Sequence, residues 1–329
     1  MDTVQLVTTK QLQVMSGRAN LELAEEIAAN LGVELCETNL SDFANGEIHC
    51  RFGQSIRGAD VFIIQSHAAL DDRSINDAVI EQLVMVDAAR RASAKRVTAV
   101  CPFFPYARQD RKAEGREPIS AKLMANLLAA AGAGRLISVD LHSGQIQGFF
   151  DGPWDHLTAM PVLCERMAGL GEDLVVVSPD AGRVKVAERY AIALGADLAI
   201  VHKSRLRGEK SAVQAREVVG EVAGRVCVLI DDMIDTGGTI VAAAEQLAAR
   251  GAEEVYAATT HGLFSGPAVD RLKNSVIGKV IITDTLPLPP EKCIDTLEVV
   301  SVAPIIASAI RAVFEDASVS EIFGGNNLS

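Results

Sequence analysis

The segment Val226–Ile240, VCVLIDDMIDTGGTI, carries residue types and spacing suited to binding a phosphorylated ligand. An apolar run, Val226 to Ile230, meets the acids Asp231 and Asp232, and then Asp235, Thr236, Gly237, Gly238 and Thr239. Such a run reads as a buried parallel strand. The Ala-rich stretch Ile240–Arg250 reads as a helix closed by Gly251. A Gly/Thr turn opening a helix brings backbone N–H groups and the positive end of the helix dipole onto an anion. Glycines let the backbone approach without a Cβ in the way, and the threonine hydroxyls add donors. The segment therefore reads as a phosphate cradle with two carboxylates alongside for a sugar or a metal. The plainer alternative is a βα loop with a solvated acidic tip, against which the buried strand and the acid pair weigh.

Three other stretches carry charge in useful places. Arg108, Arg111, Lys112 and Arg116 gather after a strand, beside Phe103, Phe104 and Tyr106. Arginines there can hold a triphosphate by bidentate bonds, although a solvated basic loop has the same composition. Asp140 and His142, followed by Asp151 and Asp155, offer oxygen and nitrogen ligands at a strand end. Mg²⁺ prefers carboxylates and substrate phosphates, and a lone histidine in such a place is more often a hydrogen-bonded structural residue. The stretch Lys203–Lys210, KSRLRGEK, sets four cations in eight residues of an acidic chain. It is a solvated face in the ordinary case, and a source of transition-state charge if it closes over a phosphoryl group. The motif G-x-x-x-x-G-K-[ST] is absent, as are His-Glu-x-x-His and Gly-x-Ser-x-Gly. Gly132 and Gly134 follow a helix rather than a strand, so they do not make a dinucleotide fingerprint.

The elements that must position these residues alternate. The pattern predicts strands at Gln11–Ser16, Val61–Gln65, Val97–Cys101, Leu136–Val139, Leu174–Val177, Leu198–Val201, Val255–Thr259, Val280–Ile282 and Leu297–Val302. Helices are expected over Leu21–Leu31 capped by Asn20, over Ser74–Ala92, over Ala121–Ala131 capped by Ser120, from about Gly182 to Leu194, and over Ile305–Phe314. Ser41–Phe52 reads as a polar turn followed by an alternating strand at Ile48, Cys50 and Phe52, and Ser143–Asp155 as a loop. This rhythm indicates an α/β protein with a doubly wound parallel sheet in each half, ligands lying at the strand-end loops.

The 329 residues are enough for two ordinary domains, and the hydrophobic content of 49% with one Trp suits buried α/β layers. A net charge of −12 argues against nonspecific binding to nucleic acid or anionic membrane, though not against a polyanion held by a local basic patch. Cys36, Cys50, Cys101, Cys164, Cys227 and Cys293 show no Cys-x-x-Cys spacing and read as reduced, mostly buried thiols. The start, MDTVQLVTTKQLQVMSG, lacks the charged and apolar regions of a signal peptide, and no run is long enough to span a membrane. A cytoplasmic location is expected.

Taken together, FANGE (Phe43–Glu47), PYARQDRK (Pro105–Lys112), SVDLHSGQIQGFFDGPWD (Ser138–Asp155), VVSPDAG (Val176–Gly182), VHKSR (Val201–Arg205) and VLIDDMIDTGGT (Val228–Thr239) resemble the ribose-phosphate pyrophosphokinase (phosphoribosyl pyrophosphate synthetase) family, class I, in the same order along nearly the whole chain. The last motif is shared with phosphoribosyltransferases; PYARQDRK with DLHxxQIQGFF is far more specific. The resemblance implies two similar sheet domains of the phosphoribosyltransferase type. An ATP-side domain would cover residues 1–157, completed by a C-terminal helix at about 303–329, and a ribose 5-phosphate domain residues 158–302. It implies transfer of the diphosphoryl group of MgATP to the 1-hydroxyl of ribose 5-phosphate, giving AMP and phosphoribosyl pyrophosphate. By motif, Asn45, Gly46 and Glu47, donated by a neighbouring subunit, would meet the adenine, and Arg108 and Gln109 the ATP. His142 and Asp180 would be magnesium-site residues, with Asp140, Asp151 and Asp155 as further candidates. Lys203 and Arg205 would be the catalytic-loop cations, Arg205 also reaching ribose 5-phosphate. Asp231 and Asp232 would take the ribose hydroxyls, and Asp235 to Thr239 the 5-phosphate. A homohexamer activated by phosphate and inhibited by ADP is implied as well.

Asn45 departs from the aspartate that many members carry before Gly-Glu, which bears on nucleotide preference. The residues ahead of Gln11 exceed the usual start and are expected to be disordered. Two alternatives stay open at this point. A phosphoribosyltransferase would use the same cradle but has no need of PYARQDRK. A non-catalytic regulatory paralogue would be expected to show damaged catalytic positions, whereas Lys203, Arg205, His142 and the Asp231 loop are intact.

Overall fold

Short apolar runs rich in Val, Ile and Ala become strands here because both faces can be covered. In the computed structural model, which describes residues 10–171, 173–204 and 215–323, they form two largely parallel sheets and one hairpin. The chain divides into two compact units, Met1–Leu157 with Ala303–Ser329, and Thr158–Val302. The segment expected to be disordered at the N-terminus lies outside the described residues.

In the first unit β1 (Leu12–Ser16) leads through α1 (Leu21–Leu31) to a hairpin of β2 (Thr38–Asp42) and β3 (Ile48–Phe52). Then follow β4 (Asp60–Ile64), α2 (Ile75–Arg91), β5 (Arg96–Cys101), α3 (Ser120–Ala131), β6 (Arg135–Val139), a 3-10 turn over Gly144–Phe149, and β7 (Trp154–Leu157). The sheet runs β1-β4-β5-β6-β7, every neighbour parallel. All five residues of β4 are buried, as a strand covered on both faces requires.

Local chemistry sets the helix ends. Asn20 caps α1 by accepting the Leu23 N–H, and Gly32, at φ 73°, closes it in the left-handed region. Ser74 and Asp77 form a reciprocal capping box on α2. The expected cap of α3 differs. Ser120 is the first helical residue, not the cap, and its hydroxyl donates to Gln109 Oε1 at 2.6 Å. The hairpin also corrects the sequence reading, since Ser41 and Asp42 belong to β2, paired antiparallel with β3. Thr38–Asp42 has little apolar content to mark it; its partner strand makes it a strand.

The second unit contains α4 (Met160–Met167), β8 (Leu174–Ser178), α5 (Val184–Leu194), β9 (Asp197–Ser204), β10 (Ala215–Val219), β11 (Val226–Ile234), α6 (Gly238–Ala249), β12 (Glu254–Gly262), α7 (Ala268–Lys273), β13 (Lys279–Thr283), a 3-10 turn at Pro290–Lys292, and β14 (Leu297–Val300). Its sheet order is β10-β9-β8-β11-β12-β13-β14, parallel except for the antiparallel edge strand β10. β10, α4 and α7 carry short or mixed patterns and were not predicted. The last helix, α8 (Ala303–Phe314), packs on α1 and β7 of the first unit.

Each unit has its own core. Met15, Ile63, Met85 and Phe104 lie in the first, and Val177, Leu229, Leu247 and Ile282 in the second. A fully buried side chain of this size contributes roughly 1.5–3 kcal/mol.

Candidate functional site

In the second unit β11 outruns its apolar stretch. The sequence reading ended the apolar run at Ile230, before Asp231 and Asp232, but the strand continues to Ile234. β12 supplies the ladder that extends it, with Asp231 opposite Thr259, Met233 opposite His261 and Ile234 opposite Gly262. The strand order reverses at this place, because β9 lies on one side of β8 and β11 on the other. In an open α/β sheet the crevice at such a reversal, beyond the carboxyl ends of the strands, is where ligands sit.

β8 ends at Ser178, and Asp180 begins the loop into α5. The Asp180 carboxylate accepts the Gly182 N–H at 2.8 Å, and its carbonyl accepts the Ser178 hydroxyl at 2.6 Å. Arg183 follows, and its guanidinium reaches both acids of β11. Nε lies 3.2 Å from Asp231 Oδ1, and Nη2 lies 2.6 Å from Asp232 Oδ1. Burial, and next the charge of Asp232, push the Asp231 carboxyl above the usual carboxylate range, and the guanidinium opposes that shift. The sequence reading missed Arg183, which lies beyond the VVSPDAG motif and far in sequence from the acids it meets.

The cradle itself is built from the turn after β11. Gly237 has φ 74°, a left-handed conformation that favours glycine, and it starts α6 with no side-chain cap. A helix start of this kind points its first-turn N–H groups toward a bound anion. The loop after β12 fixes the turn. Ser265 donates its N–H to the Asp235 carbonyl at 2.9 Å, and Leu263 and Phe264 donate theirs to the Ile234 carbonyl. Arg271 of α7 donates through Nη1 to the Thr236 carbonyl at 2.8 Å, a second cation that the sequence did not flag. Asp235, Thr236, Gly237, Gly238 and Thr239 are therefore brought together, next along the chain from the acid pair. Lys203 lies on β9, opposite Arg216 of β10. Arg205, like most of the basic stretch, falls outside the described residues.

In the first unit Asn45, Gly46 and Glu47 form the exposed tip of the β2–β3 hairpin. Asn45 Oδ1 accepts the Glu47 N–H at 3.2 Å, Gly46 turns at φ 89°, and Phe43 packs edge-on to His49. The hairpin is tied down at its base. Arg18 makes two bonds of 2.9 Å to the Asp42 carboxylate, Arg73 also pairs with Asp42, and both arginines meet the buried Glu81.

Arg108 and Gln109 are exposed in the PYARQDRK loop, which bends at Tyr106 with φ 55°. Gln109 is held by Ser120, and Asp110 accepts the Ser143 hydroxyl at 2.7 Å, joining this loop to the segment after His142. Asp140 has φ 37°, and its N–H donates to the Leu157 carbonyl. The Leu141 N–H donates to His156 Nε2 at 2.8 Å, so His156, missed in the sequence, helps to set the loop that carries His142.

The expected metal residues of the first unit differ in their surroundings. Asp151 is exposed, whereas Asp155, expected in a loop, lies on β7 and pairs with Arg135 at 2.5 Å. Among the described residues no group of three or more His, Cys, Asp or Glu could hold an ion. All six cysteines are free, with Cys36, Cys101 and Cys227 buried and Cys293 exposed. Among the described residues no helix is long and apolar enough to cross a membrane.

Comparison with known proteins places these features in context. Residues 12–132 match the model of the N-terminal domain of ribose phosphate pyrophosphokinase, and residues 209–324 that of the phosphoribosyl synthetase-associated domain. The chain is 56% identical over 316 residues to a ribose-phosphate pyrophosphokinase of Streptomyces avermitilis, covering 95% of this chain and 96% of that one. It is 51% identical over 320 residues to one of Mycobacterium tuberculosis, covering 96% and 97%. Among solved structures, the phosphoribosylpyrophosphate synthetase from Mycobacterium smegmatis superposes with a TM-score of 0.86 at 51% identity, covering 94% of this chain and all of that one.

Proposed function

The chain belongs to the ribose-phosphate pyrophosphokinase family, and from that premise we propose how its residues divide the work of transferring the diphosphoryl group of ATP to ribose 5-phosphate. The products are phosphoribosyl pyrophosphate and AMP, placing the enzyme in nucleotide biosynthesis. The near-complete match to the relatives carries this reading, and the acid pair of β11 running into the glycine turn that opens α6 supports it.

Asp231 and Asp232 accept hydrogen bonds from the ribose hydroxyls, while the α6 N-terminus with Asp235 to Thr239 takes the 5-phosphate. The 1-hydroxyl oxygen then attacks the β-phosphorus, the bond to the α-phosphate oxygen breaks, AMP leaves and the hydroxyl proton is lost. Such a transfer needs in-line positioning and charge neutralisation more than covalent help. Lys203 and Arg205 supply positive charge to the transferring group. Asn45, Gly46 and Glu47 meet the adenine, and Arg108 and Gln109 contact the ATP. The exposed hairpin tip fits a role at a neighbouring subunit's site in a homohexamer, with phosphate and ADP as effectors.

Mg²⁺ keeps most of its shell from water and substrate phosphates and takes one or two protein ligands, so the scattered hard donors fit it without a protein cage. His142 and Asp180 would contribute ligands to it, with Asp140, Asp151 and Asp155 as further candidates, and it would neutralise the phosphate charge.

The test is AMP release from ATP with and without ribose 5-phosphate, phosphate and ADP. Release that requires ribose 5-phosphate supports the assignment. Consumption of phosphoribosyl pyrophosphate with a free base would instead make the chain a phosphoribosyltransferase.

A further inference from the structure

Arg183 stands where local rules would not put it. It occupies the N-cap of α5, the positive end of the helix dipole, and its side chain makes no capping bond there. Ser, Thr, Asp or Asn is the usual choice at that position. A residue that breaks a local rule and is held in place by the fold points to a site.

What holds it is the acid pair. Consecutive strand residues send their side chains to opposite faces, so Asp231 and Asp232 would ordinarily diverge. Here both carboxylates turn to one guanidinium, with Nε 3.2 Å from the first and Nη2 2.6 Å from the second. The three side chains are 14%, 17% and 8% exposed, so the contact is shielded from water. A planar fork can span two acceptors at a fixed separation, which a lysine ammonium does less well. The Asp232 N–H, donating to Asp231 Oδ1 at 2.9 Å, fixes one carboxylate further. A carboxylate oxygen can accept more than one hydrogen bond, so contact with the guanidinium does not preclude donors from a ligand.

We infer that Arg183 is a positioning residue for ribose 5-phosphate, setting the separation of the Asp231 and Asp232 carboxylates to match two vicinal sugar hydroxyls. This rests on the assignment of the acid pair to the ribose. Arg183 acts through the carboxylates and not on the reacting atoms, so its loss weakens sugar binding more than turnover.

The experiment is steady-state kinetics of Arg183→Gln and Arg183→Lys, with ribose 5-phosphate varied at saturating ATP and the reverse. Loss of two charge-assisted contacts should raise the ribose 5-phosphate KM of the Gln variant about tenfold or more. Its kcat should stay within about threefold and its ATP KM unchanged, with Lys recovering part of the loss. A ribose 5-phosphate KM that is unchanged or lowered, or that shifts equally with the ATP KM, overturns the inference. If the Gln variant does not fold, the Lys variant against wild type is read by the same criterion with an intermediate shift. A wild-type enzyme that releases no AMP with ribose 5-phosphate removes the underlying reaction, whereas an active wild type beside an indifferent Gln variant removes only the role of Arg183.

Discussion

Glu81 takes both the main-chain N–H and the Nε of Arg18, each at 2.6 Å. The carboxylate is 1% exposed and also accepts Gln65 Nε2 at 2.9 Å and Arg73 Nη1 at 3.2 Å. A buried carboxylate satisfied this fully is costly to remove, because the Gln65 amide and the Arg18 main-chain N–H lose their acceptor. Glu81→Ala should therefore lower stability by about 1–3 kcal/mol. Urea denaturation measures this, and a loss below about 1 kcal/mol would mean that the network contributes no more than an exposed pair.

The same arginines make Asp42 sensitive to acid. Its hydrogen bond from Arg18, and next that from Arg73, hold its carboxyl down at about 2. A carboxyl depressed in the folded state contributes stability that is complete above its unfolded value, near 4, and is lost as pH falls toward 2. Asp42→Asn should therefore be less stable than wild type at neutral pH, and the gap should close between about pH 4 and 2. Thermal melts across that range check it; a gap of constant size would show that charge is not the cause. The site is 38% exposed, so the effect is modest and screened by salt.

Much of this architecture was legible in the sequence, and the exceptions share a cause. The strands at Val97, Leu136, Leu174 and Val255 announce themselves by continuous apolar runs, because a parallel strand is buried on both faces. The cradle was legible because glycine at a positive φ and a helix start are local chemistry. β2 was not, since Thr38–Asp42 is an exposed strand stabilised by its partner and by Arg18, residues remote in sequence. Arg183, Arg271 and His156 escaped for the same reason. Each works through a contact that exists only after the sheet forms.

At the acid pair, stability and binding should move in opposite directions. Burial, then Asp232, raise the Asp231 carboxyl, so folding disfavours its ionised form. That penalty is absent below the unfolded value near 4 and grows as pH rises toward the folded one. Asp231→Asn should thus gain stability over wild type as pH increases from 5 to 8.5, while its ribose 5-phosphate KM rises. Melting temperatures at both pH values with a substrate titration test this. A variant less stable than wild type throughout would show that the Arg183 contact outweighs the cost of burial.

Two glycines of the second unit separate strain from function. Gly237 and Gly251 both sit at positive φ, 74° and 87°, and a Cβ at either would find its nearest neighbour at 3.6 Å. Space is not the obstacle at either place; backbone conformation is. An alanine in that region costs about 1–2 kcal/mol, so Gly237→Ala and Gly251→Ala should lower stability by similar amounts. Only the first lies in the turn that opens α6, where relaxing the strain would tilt the first-turn N–H groups away from the phosphate. The second closes the same helix at its far end. Gly237→Ala should raise the ribose 5-phosphate KM at least about tenfold, the cost of one charge-assisted bond, and Gly251→Ala should leave it unchanged. Equal KM values in the two variants would place the 5-phosphate somewhere other than the start of α6.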